Sequence, residues 1–213
     1  MTATPPNPGI LHRVLLHGAI VVAVFILMFL THMPDFDLWA RLAVGSLVFQ
    51  TGHVWKHDIF SYLPTKELWV DHEWGSGVVL YGFVRGFGDH GLFLAKGLLL
   101  YGILLLVLRT IRLREQSKLP SPLFFVFVGY ALFPGIASLV RSQMFTYLFF
   151  SIWIYALERI RRGGRKLLWV FPATMLLWVN MHGGFVAGIG LVALYALGDL
   201  ISRKNLRPYL WIG

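Results

Sequence analysis

Residues 14–31, VLLHGAIVVAVFILMFLT, contain no Asp, Glu, Lys or Arg. Five more apolar blocks follow, at 92–108, 122–140, 143–158, 167–180 and 184–201, separated by charged or glycine-bearing turns. Apolar runs of this length are read as bilayer-crossing helices, because a spanning helix must satisfy its own backbone and meet lipid with its side chains. The predicted fold is therefore an all-α membrane protein. It has about six transmembrane helices in a single domain, 1–213, with a long mixed segment, 32–91, between the first two. The fifth block is short and holds Pro172, so it is expected to extend into flanking residues whose charges snorkel.

Charge is distributed along this pattern in a way that sets an orientation. The net charge is +9. If the spans alternate strictly, thirteen of the 19 basic residues fall on one side: Arg13, the cluster Arg109–Lys118, the cluster Arg159–Lys166, and Arg203, Lys204 and Arg207. Seven of the ten acids fall on the other: Asp35, Asp37, Asp58, Glu67, Asp71, Glu73 and Asp89. By the positive-inside rule both termini are cytoplasmic and 32–91 is periplasmic or extracellular. The basic residues then mark topology and anionic lipid, and no nucleic-acid partner is implied. There is no cysteine, which removes disulfides and thiolate metal sites. THMPDFD, which follows the first block, has no small-x-small cleavage pattern, so the first block is expected to remain as a span.

The outer segment is more than a loop. Residues 37–50, DLWARLAVGSLVFQ, place Asp37, Arg41 and Gly45 on one helical face and read as an interfacial amphipathic helix ended by Gly52. Residues 74–87, WGSGVVLYGFVRGF, read as a second one stopped by Gly88. Two tight outer turns, RSQMF and VNMHGGF, bring Arg141, Gln143, Asn180 and His182 to the same depth as Asp35, Asp37, Asp71, His72 and Glu73. Ionisable residues gathered at one level of a membrane protein are functional candidates. An acid before a helix also suits N-capping. Two acids one residue apart equally suit hard oxygen ligation of a divalent cation, or a base beside an orienting acid. His72 and Glu73 begin an HExxH pattern that Ser76 breaks, which excludes a zincin protease.

The order of these features resembles the GT-C class of polytopic membrane glycosyltransferases, in an uncharacterised bacterial branch. A first span is followed by DFD, an interfacial helix, HDIFSY, WVDHEW with a second interfacial helix, and a second span ending in arginines. RSQMFTYLF and LLWVNMHGGF come later. Ala40 and Arg41 depart from the bulkier or imidazole side chains expected after the acidic pair. The closing RPYLWIG reads as the start of a seventh span, so the chain is expected to be the N-terminal portion of a longer enzyme. The resemblance implies an inverting transferase that takes a sugar from a polyprenyl-phosphate donor to a lipid, glycan or protein acceptor at the outer membrane face. It implies Asp35 or Asp37 as the catalytic acid and Arg141 and His182 as stabilisers of the departing phosphate. Asp71, His72, Glu73, Gln143 and Asn180 would line the substrate site, and Asp35, Asp37 and Glu73 would be the ligands if a divalent cation such as Mg or Mn takes part. The alternatives are a non-catalytic lipid-linked-sugar binding or transport component, and an inactive fragment of such an enzyme.

Overall fold

The structure is a computed structural model that describes residues 8–29, 35–63, 67–114 and 140–212. Among the described residues every regular element is helical: α1 (Pro8–Phe29), α2 (Phe36–Thr51), α3 (Trp74–Phe87), α4 (His90–Arg114), α5 (Gln143–Arg161), α6 (Val170–Trp178) and α7 (Phe185–Ile201). Two 3-10 helices, Arg165–Trp169 and Arg207–Trp211, complete the set.

Two of these helices are long and apolar enough to cross a membrane, through Gly9–Ile26 of α1 and His90–Leu113 of α4. That corrects the expected six. α5 has 19 residues, but its hydroxyl-bearing residues and its charged last turn lower its hydropathy. α7 is strongly apolar yet stops at 17 residues. The expected span 122–140 lies outside the described residues except for Val140. The expected span 167–180 is not one α-helix: a 3-10 helix over 165–169 gives way to the nine residues of α6. Pro172 explains the break. It has no N–H for the Leu168 carbonyl, and its ring crowds that oxygen, so an α-helix tolerates it only in the first turn. At 1.5 Å per residue α6 spans about 14 Å, less than half a hydrocarbon core.

α5 is the hub of the packing. Its Phe145, Phe149, Trp153, Ala156 and Leu157 form one buried cluster with Leu38 of α2, Leu80 of α3, Ala95 of α4, Phe171 and Trp178 of α6 and Leu191 of α7. Trp153 meets Trp178 edge-on at 5.3 Å and Phe171 at 4.9 Å, and its indole N–H donates to Thr174 at 2.7 Å. A second cluster joins Leu16, Ile20, Ala23 and Val24 of α1 to Leu100, Leu104 and Leu108 of α4, with Met144 between them. Only 28% of the apolar window of α1 is buried. Ile10, Val14 and Val22 therefore present apolar surface that is half or more exposed, unlike a core helix of a water-soluble domain.

α2 and α3 keep the boundaries read from the sequence to within a residue. They meet backbone to backbone, through Gly45 and Gly77. A Cβ on Gly45 would stand 2.2 Å from the Gly77 carbonyl oxygen, and one on Gly77 would stand 2.4 Å from that of Arg41. The Asp37–Arg41–Gly45 face is thus the face applied to α3. Gly52 ends α2 in the left-handed region at φ +74°, its N–H donating to Val48 at 2.8 Å. Gly45→Ala is expected to push the two helices apart and to cost about 1–3 kcal/mol, read as a lower melting midpoint in detergent. An unchanged midpoint would contradict this close crossing.

Candidate functional site

Four separate stretches of chain meet around one polar cavity of about 130 Å³. It is lined by Asp35, Asp37, Leu38, Arg41, Glu73, Arg141, Ser142, Gln143 and His182. Asp35 occupies the N-cap position of α2, and Asp37 sits in its first turn. Glu73 precedes α3, Arg141 to Gln143 open α5, and His182 lies in the turn between α6 and α7. Six of the nine residues singled out in the sequence line this cavity.

The two acids of DFD have different surroundings. Asp35 is buried and makes no side-chain cap bond, although it stands where a cap would. Its carboxylate accepts instead from Arg141 Nε at 2.7 Å. The same guanidinium donates through Nη1 to Gln143 Oε1 at 3.3 Å. Asp37 is exposed to the cavity, and among the described residues its carboxylate has no hydrogen bond or ion pair.

His182 is held by the packing beneath it. Trp178 donates from Nε1 to Thr146 Oγ1 at 2.9 Å. Thr146 Oγ1 lies 2.9 Å from His182 Nδ1, and the Gly184 N–H donates to the same nitrogen at 2.9 Å. A nitrogen that accepts from a backbone N–H carries no proton, so the neutral ring bears its proton on Nε2. That nitrogen faces Glu73 Oε1 at 3.7 Å. Burial lowers the His182 pKa; the Glu73 carboxylate opposes this, while His72 and Arg141 add to the lowering. His182 therefore enters the cavity as a neutral donor, and the cationic groups there are Arg141 and Arg41. Gly184 leaves room for the arrangement: a Cβ on it would meet Thr146 Oγ1 at 2.4 Å.

Two expected outcomes follow from this relay. Thr146→Val leaves the fully buried Trp178 N–H without an acceptor and is expected to cost about 1–3 kcal/mol in a melting experiment. Protonating His182 is harder in the folded chain than in the unfolded one. Its stability contribution is therefore complete above the ordinary value of 6.5 and is lost as the pH falls below it. The melting midpoint should decline below about pH 6.5. His182→Asn should remove that part of the decline, and an identical pH profile in the variant would contradict the assignment.

The remaining three sequence candidates lie outside the cavity, and two of them, Asp71 and Asn180, hold its walls. Asp71 is buried and ion-paired with Arg41, and its Oδ1 also accepts from the Glu73 N–H at 2.9 Å. Asn180 clamps the start of α3 to the α6–α7 turn. Its Oδ1 accepts from Trp74 Nε1 at 2.8 Å, and its backbone oxygen accepts from the Gly75 N–H at 2.9 Å. His72 is largely exposed, 3.7 Å from Glu73. Sequence reading left Arg41 and Ser142 out of the site. Arg41 carried a signal, since it shares a helical face with Asp37. It lies 3.8 Å from Glu73 and joins that carboxylate to Asp71. Ser142, buried, reaches Ser76 at 2.7 Å and ties α5 to α3.

Among the described residues no three His, Asp or Glu side chains are grouped so as to hold a metal ion. Of the three acids expected as cation ligands, Asp35 is held by Arg141, Glu73 lies 3.8 Å from Arg41 and 3.7 Å from His182, and Asp37 lines the same cavity. No family model matches this chain, and neither a curated protein nor a solved structure does. The chemistry of the cavity must carry the functional reading. Carboxylates that accept, guanidinium and imidazole N–H groups that donate, and a few buried hydroxyls together suit a polyhydroxylated ligand.

Proposed function

We propose that the protein is a multi-pass plasma-membrane glycosyltransferase of the GT-C kind. It would move a sugar from a polyprenyl-phosphate donor to a lipid, glycan or protein acceptor at the outer face. The observation that carries this reading is the Asp37 carboxylate, unpaired among the described residues, in one cavity with the Arg141 guanidinium and a neutral imidazole donor. Asp37 takes the proton of the acceptor hydroxyl while that oxygen attacks the anomeric carbon from the face opposite the leaving group. The bond from the anomeric carbon to the phosphate oxygen breaks, its electron pair stays on the phosphate, and the new glycosidic bond is inverted. Arg141 offsets the charge that builds on the phosphate. Asp35 holds Arg141 in place, and the His182 Nε2–H and Glu73 bind sugar hydroxyls. The cavity, of about 130 Å³, has room for a sugar or a phosphate but not for a long hydrocarbon chain as well. The prenyl chain therefore lies outside it, along α2 and α3 at the membrane interface.

Two further observations support the membrane placement. The uncovered apolar surface of α1 and α7 matches lipid as its surroundings. The 19 residues of α5, about 28 Å of helix, separate the polar cavity from a basic end by nearly the thickness of a hydrocarbon core. In this topology both termini are cytoplasmic and 32–91 faces outward.

The deciding experiment reconstitutes the chain in vesicles with labelled polyprenyl-phosphate sugars carrying several different sugars. Label is expected to move to an acceptor, and Arg141→Ala is expected to abolish the movement. Tight donor binding without transfer for every sugar would instead identify a non-catalytic binder.

A further inference from the structure

The end of the molecule opposite the cavity holds a second constellation. The last turn of α5, the turn at 162–164, the 3-10 helix Arg165–Trp169 and the segment 202–207 gather Arg159, Arg162, Arg165, Lys166, Arg203, Lys204 and Arg207 there, all exposed. The acids at this end are already engaged. Arg161 reaches Asp199 through Nη2 at 2.8 Å and Nε at 3.1 Å, and lies 4.3 Å over the Tyr195 ring. Tyr195 donates to Glu158 at 2.8 Å, and the Tyr209 hydroxyl donates to Asp199. Glu158 and Asp199 are both buried. Against these seven exposed cations the described residues at this end offer two carboxylates, both buried and both paired with Arg161.

Four of those cations, Arg159, Arg165, Lys166 and Arg207, line two neighbouring cavities. One of about 450 Å³ is lined by Tyr155, Arg159, Arg165, Lys166 and Leu167, with the glycines of the turn between them. Beside it, one of about 290 Å³ is lined by Arg165, Leu168, Asn205, Arg207 and Pro208. Arg165 belongs to both. Large apolar side chains next along the chain stand free: Trp169 is 79% exposed, Leu210 80% and Ile201 75%. Cavities with a largely apolar lining, cations among their walls and exposed apolar side chains nearby match a molecule with anionic groups on one side and hydrocarbon on the other. A soluble anion would match the cations and leave the apolar border unexplained.

We propose that this end binds the phosphate groups of an anionic phospholipid in the paired cavities that share Arg165, with its acyl chains along Trp169, Ile201 and Leu210. The proposal rests on the membrane placement given above and is independent of the transferase chemistry. Guanidinium groups hold phosphate oxygens through paired N–H donors, so Arg159, Arg165 and Arg207 orient the headgroup while Lys166 adds a point charge. Bound there, the lipid joins α5, the 3-10 helix before α6 and the segment after α7. Within the chain this end is held by Arg161 and its partners and by Leu167, Leu168, Tyr209 and Ile212, which pack against the core beside Ile160.

The test is native mass spectrometry of the full chain in mild detergent, with phosphatidylglycerol and phosphatidylcholine supplied in equal amounts. Retained adducts should be phosphatidylglycerol. Each cation removed from the cavities should weaken retention about fivefold, and Arg159→Gln/Arg165→Gln/Lys166→Gln together about a hundredfold. Arg203→Gln/Lys204→Gln removes two exposed cations that line neither cavity and should leave retention within about twofold. An equal loss per charge in that control would replace the site with a diffuse basic surface and overturn the proposal. Displacement of the lipid by millimolar inorganic phosphate would make the occupant a soluble anion and overturn it too. A chain that integrates into membranes but retains both lipids equally would sink this inference alone. A chain that stays in solution without detergent would sink the membrane placement with it.

Discussion

Asp37→Asn is expected to lower sugar transfer by about a thousandfold while leaving the fold intact, because a positioned general base contributes roughly two to four powers of ten. Amide and carboxylate have nearly the same shape, and Asp37 is exposed without a hydrogen bond among the described residues, so no partner is orphaned. The one structural cost is the loss of a negative charge in the first turn of α2, about 0.3–1 kcal/mol. Asp35→Asn leaves an amide oxygen to accept from the Arg141 Nε–H but removes the negative charge of the pair, whose side-chain exposures are 11% and 42%. A pair so close to solvent adds little stability, about 1 kcal/mol or less. Loosening Arg141 is expected to cost about ten- to a hundredfold in transfer, through loss of charge stabilisation at the phosphate. Transfer from a labelled polyprenyl-phosphate donor measures both variants, and Asp37→Glu should recover part of the activity. Were Asp35→Asn the dead variant and Asp37→Asn within tenfold of the parent, the base would be Asp35 and the ion pair would have to open during the reaction.

How far the site could be read from the sequence follows from the range of each interaction. α2 and α3 were legible because their ends are local events: Gly52 and Gly88 break the chain, and an acid stands before each helix. The meeting of DFD, WVDHEW, RSQMF and VNMHGGF at one level was legible because apolar blocks of similar length carry successive turns to alternate ends. What divides Asp35 from Asp37 was not. That distinction depends on Arg141, 106 residues away, choosing one of two similar carboxylates. Asp71 looked like a substrate ligand because its partner Arg41 stands 30 residues earlier, and no local pattern reports the pairing. The break at Pro172 was open to view, yet apolar composition hid it: residues 167–180 have the hydropathy of a span and the backbone of two shorter pieces.

Arg41→Met is expected to be the most destabilising substitution at the site, by about 3–5 kcal/mol. The side chain of Asp71 is 3% exposed, and that of Arg41 is 18% exposed. Besides Arg41, the carboxylate of Asp71 has only the Glu73 N–H, on Oδ1, and its buried Oδ2 has no partner among the described residues. Removing the guanidinium leaves a charge enclosed between α2 and the strap before α3, where water cannot replace the lost donor. Methionine fills the stem's volume, so the penalty reports the charge rather than a cavity. The double variant Arg41→Met/Asp71→Leu removes both charges and should regain most of the lost stability, since an apolar pair can replace a buried ion pair at little cost. It should not regain transfer, because Glu73 then loses the cation that stands 3.8 Å from it at the cavity wall. Melting midpoints and transfer rates measured on the parent, both single variants and the double variant separate the two roles. A single Arg41→Met chain that melts within about 1 kcal/mol of the parent would mean that Asp71 is hydrated, and the strap would then be held by the Asn180 clamp and the Ser76–Ser142 bond instead.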